Sequence, residues 1–235
     1  MSAVTAFAQH PTLSHLLRFL DTTVARDKLL RMLQYYARFY SAYLLRHGDS
    51  AKTAATWKAL MTLVSTARKL MRVGKPLQHL KAAAAAADNK ASDAFVRYTA
   101  VARQLAYAGY LTADSLILAH STKLLTLSNP QLVQKLYNQF WLSGITFSLA
   151  SGLYKHAALY KRESVLAAAA EKDAVAIKKI RAERAANNTQ ITLDVLDSSI
   201  PISGLALLPL DDSVVGVAGM VSSFIGASAQ WQTTA

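Results

Sequence analysis

Cysteine is absent from this chain, which excludes disulfides, thiolate nucleophiles and thiolate metal ligands. Proline and glycine are scarce, five and nine in 235 residues, so little interrupts helix formation. Acidic residues are few as well: 14 Asp and Glu stand against 26 Lys and Arg, for a net charge of +12. Residues 190–235 carry no Lys or Arg at all. His10, His15, His47, His79, His120 and His156 show no metal-ligand spacing. Neither a glycine-rich phosphate loop nor a nucleophile elbow is present. No enzyme activity, no metal and no cofactor are therefore expected. Residues 1–11 lack the basic region and apolar core of a secretory signal.

What remains is apolar and helix-forming. The chain is 52% hydrophobic and 17% charged, with mean hydropathy +0.19. Long stretches of Ala, Leu, Lys, Arg and Gln predict an all-α fold. The cations are unevenly placed. Residues 1–90 carry 14 Lys and Arg against 4 Asp and Glu; residues 131–189 carry 9 against 4. Cations concentrated beside apolar segments, and missing from the most apolar tail, fit a membrane protein with a basic side. A nucleic-acid groove would leave that tail unexplained, so no nucleic-acid partner is expected.

Residues 57–81 carry two faces when wound as a helix. Arg68, Arg72, Lys75 and His79 fall within about 60° of one another. Leu63, Leu70, Val73, Leu77 and Leu80 lie opposite. Such a helix can lie in a membrane interface, its apolar face sunk ~5–10 Å and its cations on anionic head groups. The other reading of the same stretch is an amphipathic helix packed on a protein core. Gly74 and Pro76 predict a kink.

Along the chain, a short helix is predicted over 13–20 and a longer one from Asp21 or Thr22 to Arg46, with Leu29, Leu33, Tyr36, Tyr40 and Leu44 as its apolar stripe. Asp49 or Ser50 caps the next. Asp93 starts a helix to Lys123, and Pro130 starts another to about Arg162. Their charge-poor cores, 105–119 and 140–154, are about 15 residues each, short of the ~20 needed to span. They form either a membrane hairpin or a buried one. Asp114 is the single charge in the first core, either a functional carboxylate, a paired structural one or one at the water interface.

Residues 161–186 read as an exposed extension of the second helix. Residues 200–210 form a first apolar run, re-entrant or interfacial, and 214–231 is the best spanning candidate. Gly144, Ser148 and Gly152 form one small-residue stripe for close helix packing, either internal or at an oligomer interface; Gly219, Ser223 and Ala227 form another. Three regions follow: a basic amphipathic region 1–90, a long helical hairpin with charged extension 91–189, and a membrane segment 190–235, together one structural unit.

Two segments carry a family resemblance. Residues 22–40, with Arg26-Asp27-Lys28-Leu29-Leu30-Arg31 followed by Gln34-Tyr35, resemble the N-terminal signature of the peroxin-eleven family. Residues 67–76, AlaArgLysLeuMetArgValGlyLysPro, resemble its amphipathic membrane-active helix in the fungal form. The glycine-rich apolar tail ending near Trp231 is similar too. The resemblance implies a homo-oligomeric protein of the peroxisomal membrane, with its N-terminal region facing the cytosol. It implies elongation and tubulation of that membrane in proliferation and division, beside a dynamin-related GTPase and its membrane adaptor. Carried over by position, Arg68, Lys69, Arg72 and Lys75 would hold phosphates of anionic lipids, and the five apolar residues above would wedge between acyl chains. The alternative function is an oligomeric channel for small metabolites.

Overall fold

The computed structural model describes residues 7–48, 50–168 and 173–235. Eight helices of ten or more residues run through them: α1 Pro11–Asp21, α2 Thr23–Arg46, α3 Ala51–Met71, α4 Lys75–Asp88, α5 Ala94–Ser121, α6 Pro130–Ala168, α7 Ala174–Gly204 and α8 Asp212–Thr233. No strand occurs among the described residues. The protein is all-α, as its composition predicts.

The boundaries follow local chemistry. The Thr22 hydroxyl accepts from the Ala25 amide and starts α2; the Asp93 carboxylate accepts from the Phe95 and Val96 amides and starts α5. Pro130 opens α6, where its missing N–H costs nothing. Asp49, one of two residues expected to cap α3, lies outside the described residues. The kink expected at Gly74 is a full break: Gly74 takes φ +84°, and α4 restarts with Pro76 in its first turn.

The helices form two compact units, one of residues 1–71 with 210–235 and one of residues 72–209. They regroup the three regions read from the sequence, because α8 returns to the N-terminal helices. In the first unit α2 lies between α3 and α8. Trp57 of α3 stands edge-on to Tyr36 and Tyr40 of α2, with ring centroids 5.6 and 5.0 Å away. On the other side α8 runs antiparallel to α2, with Gly216 against Phe39 and Gly219 against Tyr35. The stripe expected to face the core of α2 is only partly buried: Leu44 is buried, and Leu29 and Tyr40 are half-buried. Leu33 and Tyr36 are exposed, whereas Arg31, Tyr35, Ala37 and Ser41 are buried with Leu44. A helix held between two neighbours buries flanks that a single-face reading assigns to solvent.

The second unit is a row of antiparallel neighbours, α4 on α5, α5 on α6 and α6 on α7. The α5–α6 hairpin holds Tyr110 against Tyr137 and Trp141. Asp114 is buried within it, and Asn138 and Ser148 are buried on the side of α6 that meets Gly204 and Asp194 of α7. Residues 161–186 do not simply extend α6. The helix ends at Ala168, residues 169–172 are not described, and α7 folds back along α6. Glu163 bridges Arg181 at 2.7 Å and Arg184 at 2.5 Å, and the Asn187 amide donates to the Gly152 carbonyl at 2.9 Å. Lys161, Arg162, Lys178, Lys179 and Glu183 stay exposed, as expected of this stretch.

The first apolar run of the tail is not a separate element. Ile200 to Gly204 is the end of α7, with Pro201 inside the helix, and Ala206 at φ +54° turns the chain away. α8 is the one helix among the described residues long and apolar enough to cross a membrane.

Candidate membrane-contacting surface

In the first unit, packing sets the rotation of α3. Ser41 of α2 donates to the Ala54 carbonyl, and Ala54, Val64 and Arg68 are buried. The Arg68 guanidinium donates to Asp27 at 3.0 Å and to Gln34 at 2.6 Å. With that face inward, Leu63 and Leu70 stand outward, 68% and 67% exposed. Lys69 is half-buried between the two faces.

In the second unit, α4 and the residues just before it are held on α5. The Arg72 guanidinium bridges Asp114 of α5 at 2.9 Å and donates to the Tyr110 hydroxyl at 2.8 Å. His79 is hydrogen-bonded to Gln104 at 2.6 Å and stacks on Tyr107. Ala83 is buried below them. Leu77 is left 71% exposed, and Val73 and Leu80 are exposed as well. Lys75 is half-buried and Lys81 exposed.

The two stripes read from the sequence therefore have unequal fates. The apolar residues Leu63, Leu70, Val73, Leu77 and Leu80 face out. Arg68, Arg72 and His79, expected on lipid phosphates, point into the protein. Asp27 and Asp114 are the reason, since a buried guanidinium is tolerated only beside a carboxylate. Neither carboxylate was assigned to Arg68 or Arg72 by sequence reasoning. The available signal was their isolation: Asp27 sits among cations, and Asp114 is alone in an apolar core. Asp114 is the paired structural carboxylate.

The small-residue stripes serve contacts within each unit. A Cβ on Gly144 would press on the Tyr107 ring, and one on Gly152 would meet Ile191 at 2.9 Å. The Ser148 hydroxyl donates to Asp194. Burial raises the Asp194 carboxyl above its ordinary value, against the hydrogen bonds from Ser148 and Gln190, which lower it. Gly219 seats Tyr35, Ser223 is buried and donates to the Gly219 carbonyl, and Ala227 is half-buried. Sequence reasoning missed Gly216, where a Cβ would stand 2.8 Å from the backbone nitrogen of Phe39.

The hairpin tip has a pH signature. The hydrogen bond from Arg181 first, then the charges of Arg184 and Arg181, hold the Glu163 carboxyl below the ordinary 4.5. A lowered folded value means stability present above the ordinary range and lost as pH falls through the folded value. Glu163→Gln is therefore expected to melt lower than the natural chain at neutral pH. The two melting curves, followed by circular dichroism, converge below the carboxylate range. A gap that persisted in acid would remove the ion pairs as its cause.

The chain matches the family model of peroxisomal biogenesis factor 11 over residues 13–231. It is 31% identical to peroxisomal membrane protein PMP30A of Candida boidinii, with 96% of each chain covered. It is 32% identical to peroxisomal membrane protein PMP27 of Saccharomyces cerevisiae, covering 96% of this chain and 97% of the relative. Peroxisomal biogenesis factor 11 of Schizosaccharomyces pombe is 28% identical over 95% of this chain and 96% of its own. No solved structure matches. A basic, all-helical chain with outward leucine faces and one apolar C-terminal helix, matched to these relatives from end to end, belongs to the peroxisomal biogenesis factor 11 (PEX11) family of peroxisomal membrane proteins involved in peroxisome proliferation.

Proposed function

We propose that this protein elongates and tubulates the peroxisomal membrane during proliferation and division by pressing its leucine faces into the cytosolic leaflet and by self-association. The observation that carries the reading is the outward exposure of Leu77 and Leu80 on α4, and of Val73 just before it, while Arg72 and His79 hold this stretch to α5. The wedge is presented without undocking. Each leucine side chain moved from water into acyl chains gains about 1.5–3 kcal/mol. Insertion into one leaflet expands it and favours positive curvature. Lys75 and Lys81 are the cations of α4 placed for head-group phosphates, with Lys69 at the end of α3. Leu63 and Leu70 offer a second, smaller face on α3. A cytosolic N-terminal region would leave these faces beside a dynamin-related GTPase and its membrane adaptor, which would sever the tubule.

The channel reading draws no comparable support, because Arg68 and Arg72, two of the cations available to line a pore, are matched by Asp27 and Asp114. The test is tubulation of anionic liposomes by the full chain, set against Leu77→Glu with Leu80→Glu. Both positions are exposed, so the double variant is expected to keep its helical circular dichroism. It is expected to bind liposomes weakly and form no tubules. Tubulation equal to the natural chain would reject the wedge.

A further inference from the structure

The apolar helix α8 and the charged helix α2 are packed together along their length, and that constrains how α8 can meet a bilayer. Gly216 lies so close to α2 that its Cβ would touch the Phe39 backbone; Gly219 seats Tyr35 and Gly226 seats Lys28. Both ends are tied as well. At the start of α8, Asp212 bridges Arg38 and Asp211 bridges Arg46, each at 2.6 Å. At its end, Trp231 packs on His15 and Phe19 of α1, its carbonyl 2.9 Å from the His15 ring nitrogen, and Arg18 donates to the Thr234 carbonyl.

α2 cannot accompany α8 across a bilayer. Within 24 residues it carries Arg26, Asp27, Lys28, Arg31, Arg38 and Arg46. Charges at the centre of the hydrocarbon are costly, and Lys28 and Arg31 would reach it. Crossing the bilayer and docking on α2 are therefore alternatives for α8.

We propose that α8 lies in the plane of the membrane interface, docked on α2, rather than crossing the bilayer. Its outer face fits that place. Val214, Val217, Val221 and Phe224 form one exposed apolar stripe, and residues 213–235 carry no charged side chain. A helix embedded to one side-chain depth, ~5–10 Å, buries that stripe while α2 stays at head-group level. The partner is an anionic lipid surface. The unit holding α8 carries ten Lys and Arg against five Asp, which attracts such a surface. The inference requires membrane binding and is independent of tubulation.

The absence of cysteine makes the test clean. Single cysteines are placed in the full chain at Val217, Val221 and Phe224 for nitroxide labels. Others are placed at Ser213 and Gln232 for a membrane-impermeant maleimide. The proteins are added to sealed vesicles of phosphatidylcholine and phosphatidylserine. The expected result is one shallow depth for the three nitroxides and labelling of both ends from outside, at the rate seen in detergent. A double variant, Lys28→Cys with Gly226→Cys, removes its own clash and should still be joined by a short bis-maleimide on vesicles.

Protection of one end, with the deepest nitroxide at the middle of α8, would overturn the proposal, as would loss of the cross-link on vesicle binding. Spin–spin broadening between copies at Val217 without membrane depth would replace the lipid surface by a second chain. Failure of the natural chain to bind the vesicles would overturn it too. A shallow, docked α8 in a protein that forms no tubules would reject the proposed function alone.

Discussion

Gly216→Val is expected to pull α8 off α2 and to cost the first unit about 3 kcal/mol, the upper end for overpacking. A Cβ at this position would lie 2.7 Å from the Phe39 Cβ, 2.8 Å from its nitrogen and 2.9 Å from its Cα. Two of those atoms are backbone, so no rotamer change relieves the contact. Either α2 bends or α8 moves away. Moving away also loosens the seats of Tyr35 on Gly219 and Lys28 on Gly226. The check is denaturant unfolding of the full chain in mild detergent, together with cross-linking of α2 to α8. Val217→Ala is the control: Val217 is exposed on the opposite face, and a change within about 0.5 kcal/mol is expected. If Gly216→Val unfolded with the natural chain and still cross-linked, the close helix crossing would be wrong.

Asp114→Ala is expected to be the most damaging single change in the second unit, at about 3–5 kcal/mol. The Arg72 and Asp114 side chains are 12% and 2% exposed, and their bridge is 2.9 Å long. Removing the carboxylate deprives a buried guanidinium of its counter-charge, and hydrogen bonding to Tyr110 alone does not replace it. The bridge also ties the chain just before α4 to α5, and with the His79–Gln104 hydrogen bond it sets which residues of α4 face outward. Arg72→Met combined with Asp114→Leu removes both charges and is expected to recover most of the loss, because an apolar pair needs no compensation. The measurement is a double-mutant cycle on unfolding midpoints. Additive losses in the double variant would mean that the two residues act separately. In liposomes Asp114→Ala should also tubulate less, since a loosened α4 no longer presents Leu77 and Leu80 in one orientation.

Much of this architecture was legible in the sequence because it depends on neighbours along the chain. Thr22, Asp93 and Pro130 mark helix starts by local hydrogen bonding and backbone geometry, and the structure places α2, α5 and α6 there. The periodicity of residues 57–81 separated the outward leucines from the inward arginines correctly as faces. It reversed their surroundings. A hydrophobic stripe at helical spacing states that two sides differ; it does not state which side meets protein. That depends on what the adjacent helix offers, and here Asp27 and Asp114 offer carboxylates to Arg68 and Arg72. Residues 161–186 show the same gap. Their charges suggested solvent, where most of them lie, but not the return of α7 that sets Glu163 against Arg181 and Arg184.

By itself, then, the sequence determined the all-helical class, the helix starts, the amphipathic division of residues 57–81, the small-residue stripes and the family. Each rests on composition or on spacing within one helix. Only the tertiary structure decided that the arginines turn inward, that α7 folds back on α6, and that α8 docks on a helix some 180 residues away in the chain. Those outcomes depend on pairs of surfaces. Pairing is settled by burial of complementary charge and by the approach that glycine permits, and neither can be computed from one surface alone.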